Sequence, residues 1–306
     1  MTMEQNAARP TQDQPKLGWV GAGKMGTPMI RNLLLQGLAV AVTDPVADAR
    51  SALVAAGASE ALSLADHAGS DIVLATVPND QVLTQVIFGD AENPGLAATM
   101  RPGAVLVEMS TVSPECSQKV AEALAKANIL YLRAPLSGST ALAEQATLTI
   151  LASGDKAAWE AAEPYLTMLS ARRFYLGSGE EARYMKLVLN TLVGATSAIV
   201  AEALALGESG GLSRASIMEV ICESAVASPL LKYKTDAIVS DTFTPAFSIA
   251  QMIKDFTLIN EAALAHDVPQ DVTGLILKQY RDAAAAGLKD DDFFALVKWR
   301  GGAAQN

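Results

Sequence analysis

Lys186 and Asn190 stand four positions apart in a stretch, Glu180 to about Gly210, that is apolar around much of its circumference. On a helix this spacing puts both side chains on one face. An amine among apolar neighbours loses hydration, which disfavours its ammonium form and suits it to take or give a proton near neutrality. The asparagine amide donates and accepts, so it can hold a substrate oxygen against that amine. The same spacing also describes a surface helix whose lysine carries its charge out to water. A second group offers a place for a co-reactant. Gly21-Ala22-Gly23-Lys24-Met25-Gly26 fits G-x-G-x-x-G, just after the apolar run Leu17-Gly18-Trp19-Val20 and at the opening of a helical segment. In that setting glycines let the main chain approach a diphosphate, and the helix start supplies N–H groups and a positive dipole end. A tight turn without a ligand would share the pattern.

Asp44 ends a second apolar run, where a carboxylate can accept hydrogen bonds from a ribose diol. Its charge repels the additional phosphate of NADP. Pro45 follows it and Arg50 is the nearest guanidinium, so NAD is expected in preference to NADP. Asp44 would otherwise serve simply to start a helix.

These groups need a scaffold, and the pattern supplies one. Strands are expected at Leu17–Val20, Ala39–Thr43, Ile72–Val77, Ala104–Met109, Ile129–Leu132, Ala146–Ala152 and Arg172–Leu176. Helices are expected between them, from Lys24 to Gln36, Val46 to Ala56, Pro114 to Ala127 and Asp155 to Leu169. Alternating strand and helix reads as a parallel, doubly wound α/β sheet, because parallel pairing needs a crossover. Past Gly177-Ser178-Gly179 the strand signal fades, and helices punctuated by Gly210-Gly211, Pro229, Pro245, Pro269 and Gly287 run to Lys298. The expected domains are a flexible tail at 1–15, a Rossmann-type dinucleotide-binding domain at 16–177 and an all-helical domain for substrate binding and dimerisation at 178–306.

Bulk properties narrow the function. The 306 residues carry a formal charge of -10, which argues against a nucleic-acid partner and requires a local basic cluster for any anionic substrate. Cys116 and Cys222 form no close pair, and His67 and His266 are isolated, so no metal site is expected and a reducing cytoplasm fits. Met1 to Pro15 lacks the basic start and apolar run of a signal peptide. The uncharged stretch Leu187 to Ala201 falls short of the roughly 20 apolar residues that span a bilayer. It is expected to be a buried helix, with no membrane association.

Several motifs in order resemble one family. The run Gly21 to Gly37, GAGKMGTPMIRNLLLQG, is similar to the start of the β-hydroxyacid dehydrogenases, which include 3-hydroxyisobutyrate dehydrogenase and tartronate semialdehyde reductase, within the 6-phosphogluconate dehydrogenase superfamily. Thr76-Val77-Pro78 resembles the family's loop beside the nicotinamide ribose, and Ser110-Thr111-Val112-Ser113-Pro114 its S-T-x-x-P segment. Ala134 to Ser139 resembles its A-P-V-S-G-G substrate loop, Gly179 to Asn190 the segment with catalytic lysine and asparagine, and Lys254-Asp255-Phe256 its K-D-L element. The resemblance covers nearly the whole chain from Lys16.

The resemblance implies that Lys186 exchanges a proton with the substrate oxygen during hydride transfer and that Asn190 orients that oxygen. It implies that Ser137, Gly138 and Ser139 form the substrate-carboxylate loop, and that Val77, Pro78, Thr111 and Lys254 join Gly21 to Gly26 and Asp44 around NAD or NADP. A small carboxylate substrate and a homodimer or homotetramer follow from it. The expected reaction is NAD(P)-dependent interconversion of a 3-hydroxyacid and its semialdehyde. An imine reductase is the second enzyme reading, against which Lys186 counts; a non-catalytic cofactor-binding module is the third. Three departures border the substrate loop: Arg133 where the family usually has Asp, Ser139 for a second Gly, and Ala146 for the Gly of G-T-L. Arg133 is expected either to read an extra anionic group of the substrate or to lie on the surface without contact.

Overall fold

The computed structural model describes residues 15–303. The tail expected over residues 1–15 lies outside them, apart from Pro15. Two compact units divide between Lys186 and Leu187.

In the first unit the strands are β1 (Leu17–Val20), β2 (Val40–Thr43), β3 (Ser59–Glu60), β4 (Ile72–Ala75), β5 (Val105–Glu108), β6 (Leu130–Arg133), β7 (Leu136–Ser137), β8 (Leu148–Gly154) and β9 (Ser170–Tyr175). The helices are α1 (Gly26–Leu35), α2 (Ala47–Val54), α3 (Asp80–Phe88), α4 (Leu96–Thr99), α5 (Pro114–Lys126), α6 (Thr140–Glu144) and α7 (Lys156–Thr167). The sheet runs β3-β2-β1-β4-β5-β6-β8-β7, with β9 beside β8. The first six strands are parallel in the order 3-2-1-4-5-6, the doubly wound arrangement in which the glycine turn follows the central first strand.

Side-chain alternation explains why both faces are covered. Leu17, Trp19, Ile72, Leu74, Val105 and Val107 point to one face and pack with Met29, Ile30 and Leu33 of α1. Val20, Val73, Ala75 and Leu106 point to the other and meet Leu83 and Ile87 of α3 and Val120 and Leu124 of α5. Strands buried on both sides read as continuous apolar runs, which is how they stood out. The polar β3 and the two-residue β7 gave no such signal. β8 begins and ends two residues later than expected because Ala146 turns with φ 55° after α6, delaying the strand to Leu148, whereas β9 begins two residues earlier, at Ser170.

The 29-residue helix α8 (Glu181–Ser209) carries the chain across the division. The second unit continues with α9 (Arg214–Glu223), α10 (Pro229–Val239), α11 (Ile249–Leu264), α12 (Asp271–Ala283) and α13 (Leu296–Ala303), and no named strand occurs among its described residues. Its core joins Leu187, Ala201 and Leu204 of α8 to Met252 and Phe256 of α11 and Tyr280 of α12. Gly194 permits this: a Cβ there would lie 2.2 Å from the Phe256 ring, and the Tyr280 hydroxyl donates to the Gly194 carbonyl at 3.0 Å. The expected burial of the uncharged stretch holds for one face only. Val188, Leu192, Ile199 and Leu206 are exposed, at 52 to 76%, and α8 is long and apolar enough to meet the length test for a membrane span.

Candidate active site

The glycine turn is built for close approach. Gly21 has φ 95°, and a Cβ on it would lie 2.1 Å from the Thr76 carbonyl oxygen. At Gly26 a Cβ would come within 2.1 Å of the Gly21 carbonyl. The Thr76 hydroxyl donates to that same carbonyl at 2.7 Å and accepts from the buried Trp19 indole at 3.0 Å, pinning the turn to β4. Gly23 faces open space, and no side chain caps α1. Six other helices are capped by a side chain, Asn79, Ser113, Ser139, Ser213, Ser228 and Ser248 each accepting an N–H, while α2, α4, α7 and α12 share the uncapped state of α1. A cleft of about 730 Å³ beside the turn is lined by Ala22, Gly23, Lys24, Thr27, Arg31 and Asp44, among others. An open glycine cradle at an uncapped helix start fits a diphosphate.

Asp44 sits at the end of β2, as expected, and its carboxylate accepts from Ala22 N at 2.6 Å and Val46 N at 2.8 Å. Arg50 is already engaged, with the Asp44 carbonyl at 2.5 Å and Glu60 at 3.1 Å. The nearest guanidinium is thus committed to neutralising a second carboxylate. Arg31 lines the same cleft as Asp44.

Val77 and Thr111 follow β4 and β5, at the carboxyl ends of parallel strands where doubly wound sheets bind ligands. Pro78 is exposed beside them. Val77 N donates to Ser110 Oγ at 2.7 Å, and Ser110 N donates to Glu108 Oε1 at 2.8 Å, so the two loops are tied together. In the substrate loop, Ser137 ends β7, Gly138 is exposed with φ 142°, and Ser139 caps α6. The Ser139 hydroxyl is thereby occupied as an acceptor.

Lys186 lies in the second turn of α8 and is half-buried. The start of that helix is held by Ser153, whose hydroxyl donates to Gly179 O at 2.8 Å and accepts from Ala182 N at 3.1 Å. Arg133 departs from both expectations. It is buried, 6% exposed, and its guanidinium pairs with Glu180 and donates to Ser117 Oγ at 3.1 Å. Its charge is answered within the protein, so neither a substrate contact nor a free surface position describes it. Arg183 is equally buried and pairs with Glu108. Burial opposes the Arg183 charge, but Glu108 and Tyr131 outweigh that and hold the guanidinium above its usual range.

In the second unit, Asn190 is buried and donates its amide to Asp255 Oδ2. A carboxylate only accepts, so the amide nitrogen must face Asp255, leaving Oδ1 and one N–H for another partner. Lys254 forms an ion pair with Asp255 Oδ1 at 2.9 Å. Asp255 and Glu108 were missed as site residues. The Lys254-Asp255-Phe256 element, already singled out for its lysine, was the available signal for Asp255; Glu108 looked like the end of a strand.

Comparison with known proteins places these features in one family. Residues 16–177 match the NAD-binding domain of 6-phosphogluconate dehydrogenase, and residues 179–300 the NAD-binding domain of NADP-dependent 3-hydroxyisobutyrate dehydrogenase. The chain is 33% identical to 2-(hydroxymethyl)glutarate dehydrogenase of Eubacterium barkeri, covering 92% of this chain and 94% of that one. It is 32% identical to the NAD-dependent L-serine dehydrogenase of Pseudomonas aeruginosa, covering 92% and 97%. A crystal structure of 3-hydroxyisobutyrate dehydrogenase from Salmonella typhimurium superposes with a TM-score of 0.84 at 27% identity, over 93% and 99% of the two chains. An imine reductase from Pseudomonas sp., at 21% identity over 94% and 99% with a TM-score of 0.54, shares the fold alone. The nucleotide cradle, the two matched domains and the full-length relatives together make this chain a member of the NAD(P)-binding hydroxyacid dehydrogenase family that includes 3-hydroxyisobutyrate dehydrogenase.

Proposed function

We propose that the protein oxidises a small 3-hydroxy carboxylic acid, or reduces the matching semialdehyde, with NAD as the preferred dinucleotide. The observation that carries this reading is the pair Lys186 and Asn190 on one continuous helix, with the asparagine amide set by a buried carboxylate. When bound, the nicotinamide supplies or accepts a hydride at its C4. Lys186 Nζ takes the hydroxyl proton as the acid is oxidised and returns it to the carbonyl oxygen in the reverse direction. Asn190 donates its second amide proton to that oxygen, because its first is held by Asp255. Ser137 and Gly138 meet the substrate carboxylate with hydroxyl and main-chain N–H groups, and Lys254 adds positive charge. The substrate class draws support from two relatives named for 2-(hydroxymethyl)glutarate and L-serine, each of which bears a hydroxyl β to a carboxylate. NAD is favoured by Asp44 and by the commitment of Arg50 to Glu60.

The exposed stripe Val188, Leu192, Ile199 and Leu206 supports self-association through α8, as a dimer or a dimer of dimers. A cytoplasmic protein without membrane or nucleic-acid partners is consistent with two free cysteines and the acidic charge. Absorbance assays of 3-hydroxyisobutyrate, L-serine and succinic semialdehyde with each dinucleotide test the reaction, and sedimentation tests the oligomer. Lys186→Ala is expected to lower turnover by about 1,000-fold with the dinucleotide Kd little changed. Turnover near wild type in that variant removes the assigned mechanism.

A further inference from the structure

We propose that Arg183 is a positioning residue, whose guanidinium locks the first turn of α8 to the carboxyl ends of β5 and β6 and so sets where the Lys186 amine stands. This rests on the reading of Lys186 as the proton carrier. Arg183 and Lys186 are three positions apart on α8, so they share one side of the helix. The Arg183 side chain is 1% exposed and serves four acceptors drawn from separate segments. Nη1 donates to Ser110 O at 2.8 Å, Nε to Ser117 Oγ at 3.2 Å, and Nη2 to Glu108 and to the Tyr131 hydroxyl at 3.1 Å. The other Glu108 oxygen accepts Ser110 N, and Ser110 Oγ accepts Val77 N. One ion pair therefore joins the lysine-bearing helix to both loops that follow β4 and β5.

A second pair braces the first. Arg133 donates to the same Ser117 hydroxyl and pairs with Glu180, the residue just before α8. Where the resembled family usually has Asp at position 133, this chain has reversed the charge and supplies a carboxylate across from it. Stability is a poor account of such a cluster, since replacing a buried ion pair by well-packed apolar side chains often costs nothing. A forked, planar donor with four fixed acceptors instead dictates a single rotational setting of the helix. Loss of that setting displaces Nζ, and a shift of about 1 Å at a reacting group costs on the order of 100-fold in rate.

The test uses the full-length double variant Glu108→Met/Arg183→Leu together with Arg183→Lys and Lys186→Ala. Four readouts are taken: melting temperature, NADH Kd by fluorescence, kcat against pH with the faster of 3-hydroxyisobutyrate and L-serine, and the pH dependence of Lys186 acylation by an amine-reactive probe without dinucleotide. The double variant leaves Ser110 N and Ser110 O without their partners and is expected to melt below wild type, yet to bind NADH within about threefold and lose about 100-fold in kcat. The midpoint of Lys186 acylation should move by about half a pH unit or more. Arg183→Lys, which keeps the charge without the fork, should recover part of kcat. Wild-type kcat and an unmoved acylation profile in the double variant overturn the inference. If that variant does not fold, Arg183→Lys decides alone: wild-type kcat and acylation overturn it, and lost kcat at unchanged NADH affinity supports it. Full turnover by Lys186→Ala would sink the underlying mechanism instead, whereas an inactive Lys186→Ala beside fully active Arg183 variants sinks only the positioning role.

Discussion

At the start of α1 no side chain caps the helix and Gly23 faces open space, while at the start of α8 the Ser153 hydroxyl accepts Ala182 N, Glu181 accepts Gly179 N, and Arg133 and Arg183 pair with the carboxylates of Glu180 and Glu108. The first arrangement leaves donors exposed in a cleft, as a helix must if it is to hold an anion. The second consumes its donors inside the protein, as a helix must if it is to hold one of its own side chains still. A helix start can thus be a binding site or an anchor, and the distribution of hydrogen-bond partners separates the two.

Breaking the first start should have the largest effect. Gly26→Val, which thrusts side-chain atoms at the Gly21 carbonyl, is expected to weaken NADH binding at least about 100-fold, measured by fluorescence titration. Breaking the second should spare binding. Ser153→Ala removes a buried hydroxyl that serves both Gly179 O and Ala182 N, so stability should fall by about 2 kcal/mol in urea unfolding while NADH affinity holds. If Ser153→Ala weakened NADH as strongly as Gly26→Val, the division of labour between the two starts would be wrong.

Asp44→Ser sharpens the comparison on the binding side. Removing the carboxylate beside Ala22 should shift the ratio of kcat/KM for NAD over NADP by about tenfold toward NADP, read from paired kinetic assays. Ala146 closes α6 in the left-handed region, at φ 55°, so Ala146→Gly should stabilise by about 1 kcal/mol in urea unfolding.

The smallest effect concerns pH. His67 is fully buried under β2 with Nε2 2.9 Å from the Thr43 hydroxyl, and burial lowers its pKa below 6.5, against a smaller upward pull from Asp66. The folded state resists protonation that the unfolded chain accepts, so stability is full above pH 6.5 and declines as pH falls toward the lowered folded value. Melting curves from pH 7 to 5 should show that decline, and His67→Gln should flatten it.

The parallel core, the glycine turn, Asp44 and the i, i+4 pair Lys186/Asn190 were legible in the residues alone, because each depends on local periodicity or short spacing. So were the family motifs, which lie in sequence order. Tertiary structure alone decided what answers Arg133, because Glu180 is 47 positions away and Ser117 is 16. It likewise decided that Arg183 meets Glu108 across 75 positions and that Asp255 turns the Asn190 amide across 65. The exposed side of α8 also escaped prediction, since composition gives the apolarity of a helix but not which of its faces finds a neighbour. Pattern reports what a segment can form by itself; the partner of a buried charge depends on where distant segments are folded, and no local period encodes that.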